Sequence, residues 1–270
     1  MRITRFLPLS YLSWCLGMLA NLPLPQPLAR WSIQIFSRVY GIDASTATLP
    51  VSQFRSIGEF FTRDIKPEER PCGEGFLCPV DGMLRQHYTL SPGVSIPQVK
   101  GREYTLEALL GEDELTSRLR SGVLWNLYLS PADAHHIFAP AAGQVVKTIH
   151  IPGKLWPVND WALHSVDALF AVNERVVTFI ETGAGLVAVV MIGATNVGRI
   201  ALRYMEFETN LRPWQAKSIR TFEHAGISVK AGQKLGTFKM GSSVIVVAEN
   251  HRPSAAGATF PRRVQYGESL

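Results

Sequence analysis

From residue 123 onward the chain returns repeatedly to short runs of β-branched and large apolar residues. They are 123–129 (VLWNLYL), 143–151 (GQVVKTIHI), 175–181 (RVVTFIE), 185–192 (GLVAVVMI) and 242–248 (SSVIVVA), punctuated by glycine and proline. Runs of that length and composition between turn residues read as strands, so the body of the protein after Pro67 is expected to be mainly β. Pro79-Val80-Asp81-Gly82 and Pro140-Ala141-Ala142-Gly143 share the pattern Pro-x-x-Gly followed by an extended apolar stretch, a turn opening a strand that is used twice.

A third signal, Val229 to Phe238, has the form of the strand-turn-strand unit of lipoyl-type β-sandwiches. The expected fold class is therefore α+β, mainly β: a pseudo-symmetric β-sandwich of lipoyl-like hairpins preceded by amino-terminal helices. Residues 1–66 read as a helical membrane-association region, 67–250 as the β-rich body and 251–270, small and polar without periodicity, as a loose tail. Within the first region, Val51, Phe54, Ile57, Phe60, Phe61 and Ile65 fall at helical spacing, with Ser56 and Glu59 as a capping pair.

The 270 residues are 46% apolar, enough for a substantial core, which rules out disorder for most of the chain. With 27 basic and 22 acidic residues, the net charge of +5 is too small for a nucleic-acid-binding composition and points to an anionic surface. The bias is local: residues 1–42 hold Arg2, Arg5, Arg30 and Arg38 and no acidic residue.

Between Phe6 and Leu22 the small or polar residues Ser10, Ser13, Gly17 and Asn21 form one narrow helical stripe, and the rest of the circumference is apolar. Pro8 and the cluster Pro23, Pro25 and Pro27 shorten this segment below a spanning helix, so it is expected to lie in a membrane interface, with Leu28 to Tyr40 deepening the anchor. A cleaved signal peptide and simple packing on the protein body are the alternatives. Cys15, Cys72 and Cys78 are too few and too irregular for a disulfide framework, and a reducing compartment follows.

No dinucleotide fingerprint, P-loop, HExxH or GxSxG elbow is present. His135 and His136 are adjacent, so on a strand they face opposite ways and do not chelate one metal; no metal site is expected. The Gly241-Ser242 bond, by contrast, lies where a tight turn feeds a strongly apolar strand. A serine hydroxyl after glycine can attack the glycine carbonyl and convert the amide to an ester. β-Elimination then splits the chain, and hydrolysis of the resulting dehydroalanine leaves an amino-terminal pyruvoyl group.

In these surroundings the sequence resembles the phosphatidylserine decarboxylases over almost its whole length. The marks are Ser56-Ile57-Gly58-Glu59-Phe60-Phe61-Thr62-Arg63, Pro79-Val80-Asp81-Gly82, Tyr128-Leu129-Ser130-Pro131-Ala132-Asp133-Ala134-His135 and Ile151-Pro152-Gly153-Lys154-Leu155-Trp156-Pro157-Val158-Asn159. They continue through Leu169-Phe170-Ala171-Val172-Asn173-Glu174-Arg175-Val176, Val190-Met191-Ile192-Gly193-Ala194-Thr195-Asn196-Val197-Gly198 and Met240-Gly241-Ser242-Ser243, the last standing for the family's Leu-Gly-Ser-Thr.

The resemblance implies a self-cleaving pyruvoyl enzyme that turns phosphatidylserine into phosphatidylethanolamine through a Schiff base, with 67–250 as its catalytic domain. Ser242 is then first nucleophile and later, as pyruvoyl, the covalent cofactor. Asp81 orients the histidine that deprotonates Ser242, and His135 handles protons near the substrate. The implied partners are the phospholipid substrate, an anionic membrane surface, the large and small chains of one precursor and a second copy in a homodimer. The implied location is peripheral, on the cytoplasmic side of the cell membrane.

Two departures stand out. Phe138 occupies the position of the family's processing histidine, and Asp160 follows Asn159 where many relatives place histidine. The first leaves open a substitute base at His135 or His136, an uncleaved lipid-binding relative, or a pyruvoyl decarboxylase of another amino-acid-bearing substrate.

Overall fold

The structure is a computed structural model that describes residues 9–99, 101–195, 198–211, 218–239, 242–251 and 259–270, with residues 9–13 and 242 as backbone. Arg2, Arg5 and Phe6 to Pro8 of the expected anchor lie outside the described residues, as do Met240 and Gly241. The strands are β1 (Gly82–Thr89), β2 (Ile96–Pro97), β3 (Glu103–Tyr104), β4 (Val123–Leu129), β5 (His136–Phe138), β6 (Gly143–Ile151) and β7 (Arg175–Thr182). They continue as β8 (Gly185–Gly193), β9 (Ile200–Leu202), β10 (Arg220–Val229), β11 (Lys234–Phe238), β12 (Ser242–Ala248) and β13 (Arg262–Val264). The helices are α1 (Leu9–Ala20), α2 (Gln26–Tyr40), α3 (Ile57–Phe61), α4 (Leu106–Leu110), α5 (Glu114–Arg118), α6 (Asp160–Ser165) and α7 (Leu169–Val172).

Among the described residues the large sheet runs in the order β10-β6-β7-β8-β12-β4-β1-β13, and a smaller one in the order β5-β11-β9. The pairings are antiparallel. The period of two along a strand divides the core into two layers. Val244 and Val246 of β12, with Trp125, Leu127 and Met191, meet Leu202, Leu235 and Phe238 of the smaller sheet. Ile245 and Val247, with Leu124, Val190 and Ile192, meet Leu109, Leu163 and Phe170 of the short helices. The mainly β reading therefore holds, with a smaller sheet on one face of the large one and helices on the other.

Both Pro-x-x-Gly turns open strands, at Gly82 for β1 and Gly143 for β6. The stretch from Val229 to Phe238 differs from expectation. Its two strands do not pair with each other, because β10 joins β6 in the large sheet while β11 lies between β5 and β9. The helix expected across 51–65 is also shorter. Ser56 adopts an extended conformation to accept from the Glu59 N–H at 3.1 Å, so it ends one segment and caps the next, leaving a 3₁₀ turn at Val51–Gln53 and then α3. Glu59 completes the pair by accepting from the Arg55 N–H at 2.6 Å.

Helix α2 starts with Pro27 in its first turn and stops at Gly41, whose φ of 67° is left-handed. Ala29 and Ile33 are buried, and Ile33 packs with Phe54 and Phe60. Leu28, Trp31, Ile35 and Val39 form an exposed stripe on the other side, Trp31 at 63%. No helix among the described residues is long and apolar enough to cross a membrane.

Residues 259–270 are not a loose tail. β13 pairs with β1, Leu270 donates to the Phe76 carbonyl, the Cys78 N–H donates to Glu268, and Val264 and Leu270 are buried. Val264 and Leu270 are its buried aliphatic residues, and Phe260 and Tyr266 pack beside them. Removing 259–270 is expected to lower stability in a urea titration by about 3 kcal/mol, the burial free energy of two aliphatic side chains. An unchanged midpoint would show that the tail contributes nothing to the fold.

Candidate functional site

The register of the sheet brings the candidate residues toward one end. Ser242 pairs with Leu129 of β4 and Gly193 of β8, and Met83, Tyr128 and Ser243 form one row across β1, β4 and β12. The start of β1 therefore lies two strand spacings, about 10 Å, from the start of β12. Gly193 is held in turn: its N–H donates to the Glu174 carbonyl, and its carbonyl accepts from Asn173, whose amide also clasps the Trp156 backbone. Gly153 packs so closely on Asn173 that a side chain would fall 2.5 Å from its carbonyl carbon. These motif residues act by fixing the strand ends beside Ser242.

Asp81 is buried just before Gly82, whose missing side chain would lie 2.4 Å from the Tyr128 carbonyl oxygen. Its carboxylate accepts from Arg70 Nε at 3.0 Å and from a terminal guanidinium nitrogen at 2.8 Å, and from the Tyr266 N–H at 3.0 Å. No histidine contacts it among the described residues. Phe138 fills the neighbouring space: its N–H donates to the Pro79 carbonyl, and its ring stacks on Tyr266 with centroids 4.0 Å apart.

His135 is completely buried, against the Phe61 ring. Its Nδ1 lies 2.8 Å from the Asp133 carbonyl oxygen, which can only accept, so Nδ1 carries the proton and Nε2 presents a bare lone pair. That lone pair is buried without a partner among the described residues. Burial depresses the imidazole pKa to about 3, so the ring is neutral at physiological pH. The carbonyl of His135 accepts from the Phe238 N–H at 2.9 Å, tying the residue to the strand that leads toward Gly241 and Ser242.

His136 is engaged elsewhere. Its Nδ1 lies 2.9 Å from the Thr237 hydroxyl and its Nε2 3.1 Å from the Asp64 carboxylate, and burial lowers its pKa to about 4. Of the two candidate substitute bases, His136 has a carboxylate beside its Nε2, whereas His135 Nε2 faces none among the described residues. Arg70 and Tyr266 were not singled out from sequence. Arg70 sits in a polar run without periodicity, and Tyr266 falls in the segment read as tail.

The described residues thus place Ser242 at the head of an interior strand, a neutral buried imidazole on the segment hydrogen-bonded to Phe238, and a clamped carboxylate at the start of β1, in a mainly antiparallel β protein. Residues 57–270 match the family described as phosphatidylserine decarboxylase. The chain is 37% identical over 273 aligned residues to the phosphatidylserine decarboxylase proenzyme of Myxococcus xanthus (strain DK1622), covering 100% of this chain and 92% of that one. It is 40% identical to that of Anaeromyxobacter sp. (strain K), with 98% and 95% covered, and 36% identical to that of Brevibacillus brevis (strain 47), with 90% and 88% covered. The chain belongs to the phosphatidylserine decarboxylase family.

Two outcomes follow from the geometry. The histidines at about 3 and about 4 are neutral in the folded chain, whereas unfolded imidazoles titrate near 6.5. Between those values the unfolded chain binds more protons, so stability is fully present above about pH 6.5 and falls toward pH 4, by up to about 1.4 kcal/mol per pH unit for each histidine. Urea titrations from pH 7 to 4 should show this slope, and His136→Gln should reduce it. Phe138→His places an imidazole beside Asp81 and is expected to speed self-cleavage about 10- to 100-fold, followed by intact mass. An unchanged rate would mean that another group already serves as the base.

Proposed function

We propose that this chain is a self-processing precursor that, once cut, decarboxylates phosphatidylserine to phosphatidylethanolamine. The observation that carries this reading is the pairing of a base-ready His135 with the strand that runs into Gly241-Ser242. His135 Nε2 takes the proton of the Ser242 hydroxyl, whose oxygen attacks the Gly241 carbonyl carbon and displaces the Ser242 nitrogen to form an ester. Loss of the Ser242 α-proton expels the Gly241 carboxylate and leaves dehydroalanine, whose tautomeric imine takes up water and releases ammonia. Asp81, neutralised by Arg70, holds the β1 turn and the Tyr266 segment in place rather than acting through a histidine.

The residues fit a pyruvoyl group formed from Ser242. The new chain end would be anchored by the pairing of β12 with β4 and β8, and the buried lone pair of His135 lies on the adjoining segment. Such a group supplies a carbonyl that condenses with the substrate amine and accepts the electrons released with carbon dioxide. His135 would move the proton at the substrate carbon, and the apolar faces of β4 and β8 exclude water from it.

The exposed stripe of α2, together with Met18, Leu19 and Leu22, supports peripheral binding to a bilayer, and the free cysteines suit its cytoplasmic side. Arg30 and Arg38 on the same helix suit an anionic leaflet. The repeated turn-and-strand units at Gly82 and Gly143 support a pseudo-symmetric, lipoyl-like ancestry for the large sheet.

Intact-mass measurement on purified protein is expected to show fragments of 241 and 29 residues, with a hydroxylamine-reactive carbonyl on the smaller. Ser242→Ala should abolish both and reduce carbon dioxide release from phosphatidylserine vesicles by at least about 10³-fold. A persistent full-length wild-type species without carbonyl would favour the uncleaved lipid-binding alternative. Turnover of another amino-acid-bearing substrate in preference to phosphatidylserine would move the specificity elsewhere.

A further inference from the structure

Between the segment after α2, the start of β1 and the end of β13 lies a cavity of about 380 Å³. Arg63, Arg70, Asp81, Asp133 and Arg263 reach its wall. Two of the three arginines are matched. Arg70 is bound to Asp81, and Arg263 to Asp133, which also accepts from the Ser130 N–H and hydroxyl. The outer carboxylates are occupied too: Asp43 caps Ser45, and Glu268 pairs with Arg262.

Arg63 is the exception. It is 3% exposed, has no carboxylate partner, and donates to the Ala132 carbonyl at 2.7 Å and the Phe60 carbonyl at 3.4 Å, leaving Nε without a partner among the described residues. Arg175 shows what a self-sufficient buried arginine looks like in this fold. It is 4% exposed, and its Nε and both terminal nitrogens are taken up by the carbonyls of Ala108, Leu109, Ala171 and Asn173. A buried guanidinium with neither counter-ion nor filled donors is costly unless a ligand completes it. Burial depresses its pKa while Asp81 and Asp133 oppose that shift, so the local carboxylates hold the charge on without touching it.

We propose that this cavity is an anion subsite in which Arg63 holds the phosphodiester of a serine-bearing headgroup. The inference rests on the decarboxylase reading and adds the group that positions the substrate. A phosphodiester carries the single negative charge that Arg63 lacks, and its paired free oxygens match the guanidinium fork. The cavity borders Asp81, two strand spacings from the head of β12. In phosphoserine the phosphorus lies four bonds of about 1.5 Å each from the amine, so the headgroup spans up to about 6 Å of the roughly 10 Å between residue 242 and this wall, and the guanidinium reaching in from Arg63 covers the remainder. Gly41 to Thr46, which follow the exposed stripe of α2, form another side, so a headgroup arriving from a bilayer on α2 meets this opening.

The test uses the full chain carrying Ser242→Ala, so that binding is read without turnover. Glycerophosphoserine and inorganic phosphate are titrated separately by calorimetry and ³¹P NMR. Glycerophosphoserine is expected to bind, and Arg63→Gln in the same background to bind it about 10- to 100-fold more weakly. In the cleavable protein the same substitution should raise KM for phosphatidylserine vesicles by a similar factor. If Arg63→Gln does not fold, Arg63→Lys, which keeps the charge and loses the fork, should still weaken binding about tenfold. Binding that is absent, or equal in the folded Arg63 variants, overturns the proposal, and phosphate binding as tightly as glycerophosphoserine overturns its assignment to a headgroup. Arg63-dependent binding in a protein that releases no carbon dioxide would sink the decarboxylase reading and leave the subsite standing.

Discussion

The structure depends on the double pairing of β12. This strand has β4 on one edge and β8 on the other along its whole length, and a packed layer on each face, so its backbone groups are satisfied and its position is fixed from four directions. Ser242 therefore opens a strand that is held on both edges and both faces. The neighbours are fixed as firmly: Asn173 holds Gly193, and the close approach of Gly82 to Tyr128 sets the start of β1. Chemistry at residue 242 requires such a frame, because a displacement of about 1 Å in a reacting group costs orders of magnitude in rate.

Buried charge is distributed with equal economy. A carboxylate at Asp81 needs a cationic or hydrogen-bonding partner once it is removed from water. With a phenylalanine at 138, no imidazole can supply one from that position, and Arg70 and the Tyr266 amide do so instead. Of the adjacent pair His135 and His136, His135 is the one whose Nε2 has no carboxylate beside it among the described residues. Its Nδ1 proton is committed to the Asp133 carbonyl, and the apolar contact with Phe61 keeps the ring neutral, the state a base must have before it acts.

Much of this was legible in the chain because it depends on local pattern. Three of the five runs of β-branched residues coincide with strands at both ends, and the other two extend one residue further, since turn residues and side-chain alternation both act over a few positions. The Ser56-Glu59 pair was legible for the same reason. What escaped depends on partners distant in sequence. Val229 to Phe238 has the local form of a hairpin, yet its strands belong to different sheets, which only their pairing with β6 and with β5 and β9 decides. β13 is three residues long, and its fate is set by β1. Of the candidate site, Ser242 stood out through the chemistry of a Gly-Ser bond, and Asp81 and His135 through the family resemblance. Arg70, Tyr266 and the unmatched Arg63 owe their roles to burial and to partners far away in the chain, which no local pattern encodes.

The interior position of β12 has a consequence for the life of the molecule. A break before Ser242 would leave the smaller piece contributing β12 to the middle of one sheet and β13 to its rim, so neither fragment could leave without dismantling the core. The chain must reach its native arrangement while still continuous, with bond scission following assembly. Once separated in denaturant, the two pieces would have to find each other by diffusion, and recovery would become second order in concentration. Maturation thereby turns a reversible monomolecular equilibrium into a kinetically trapped state, and the uncut form is the only one that can repair itself.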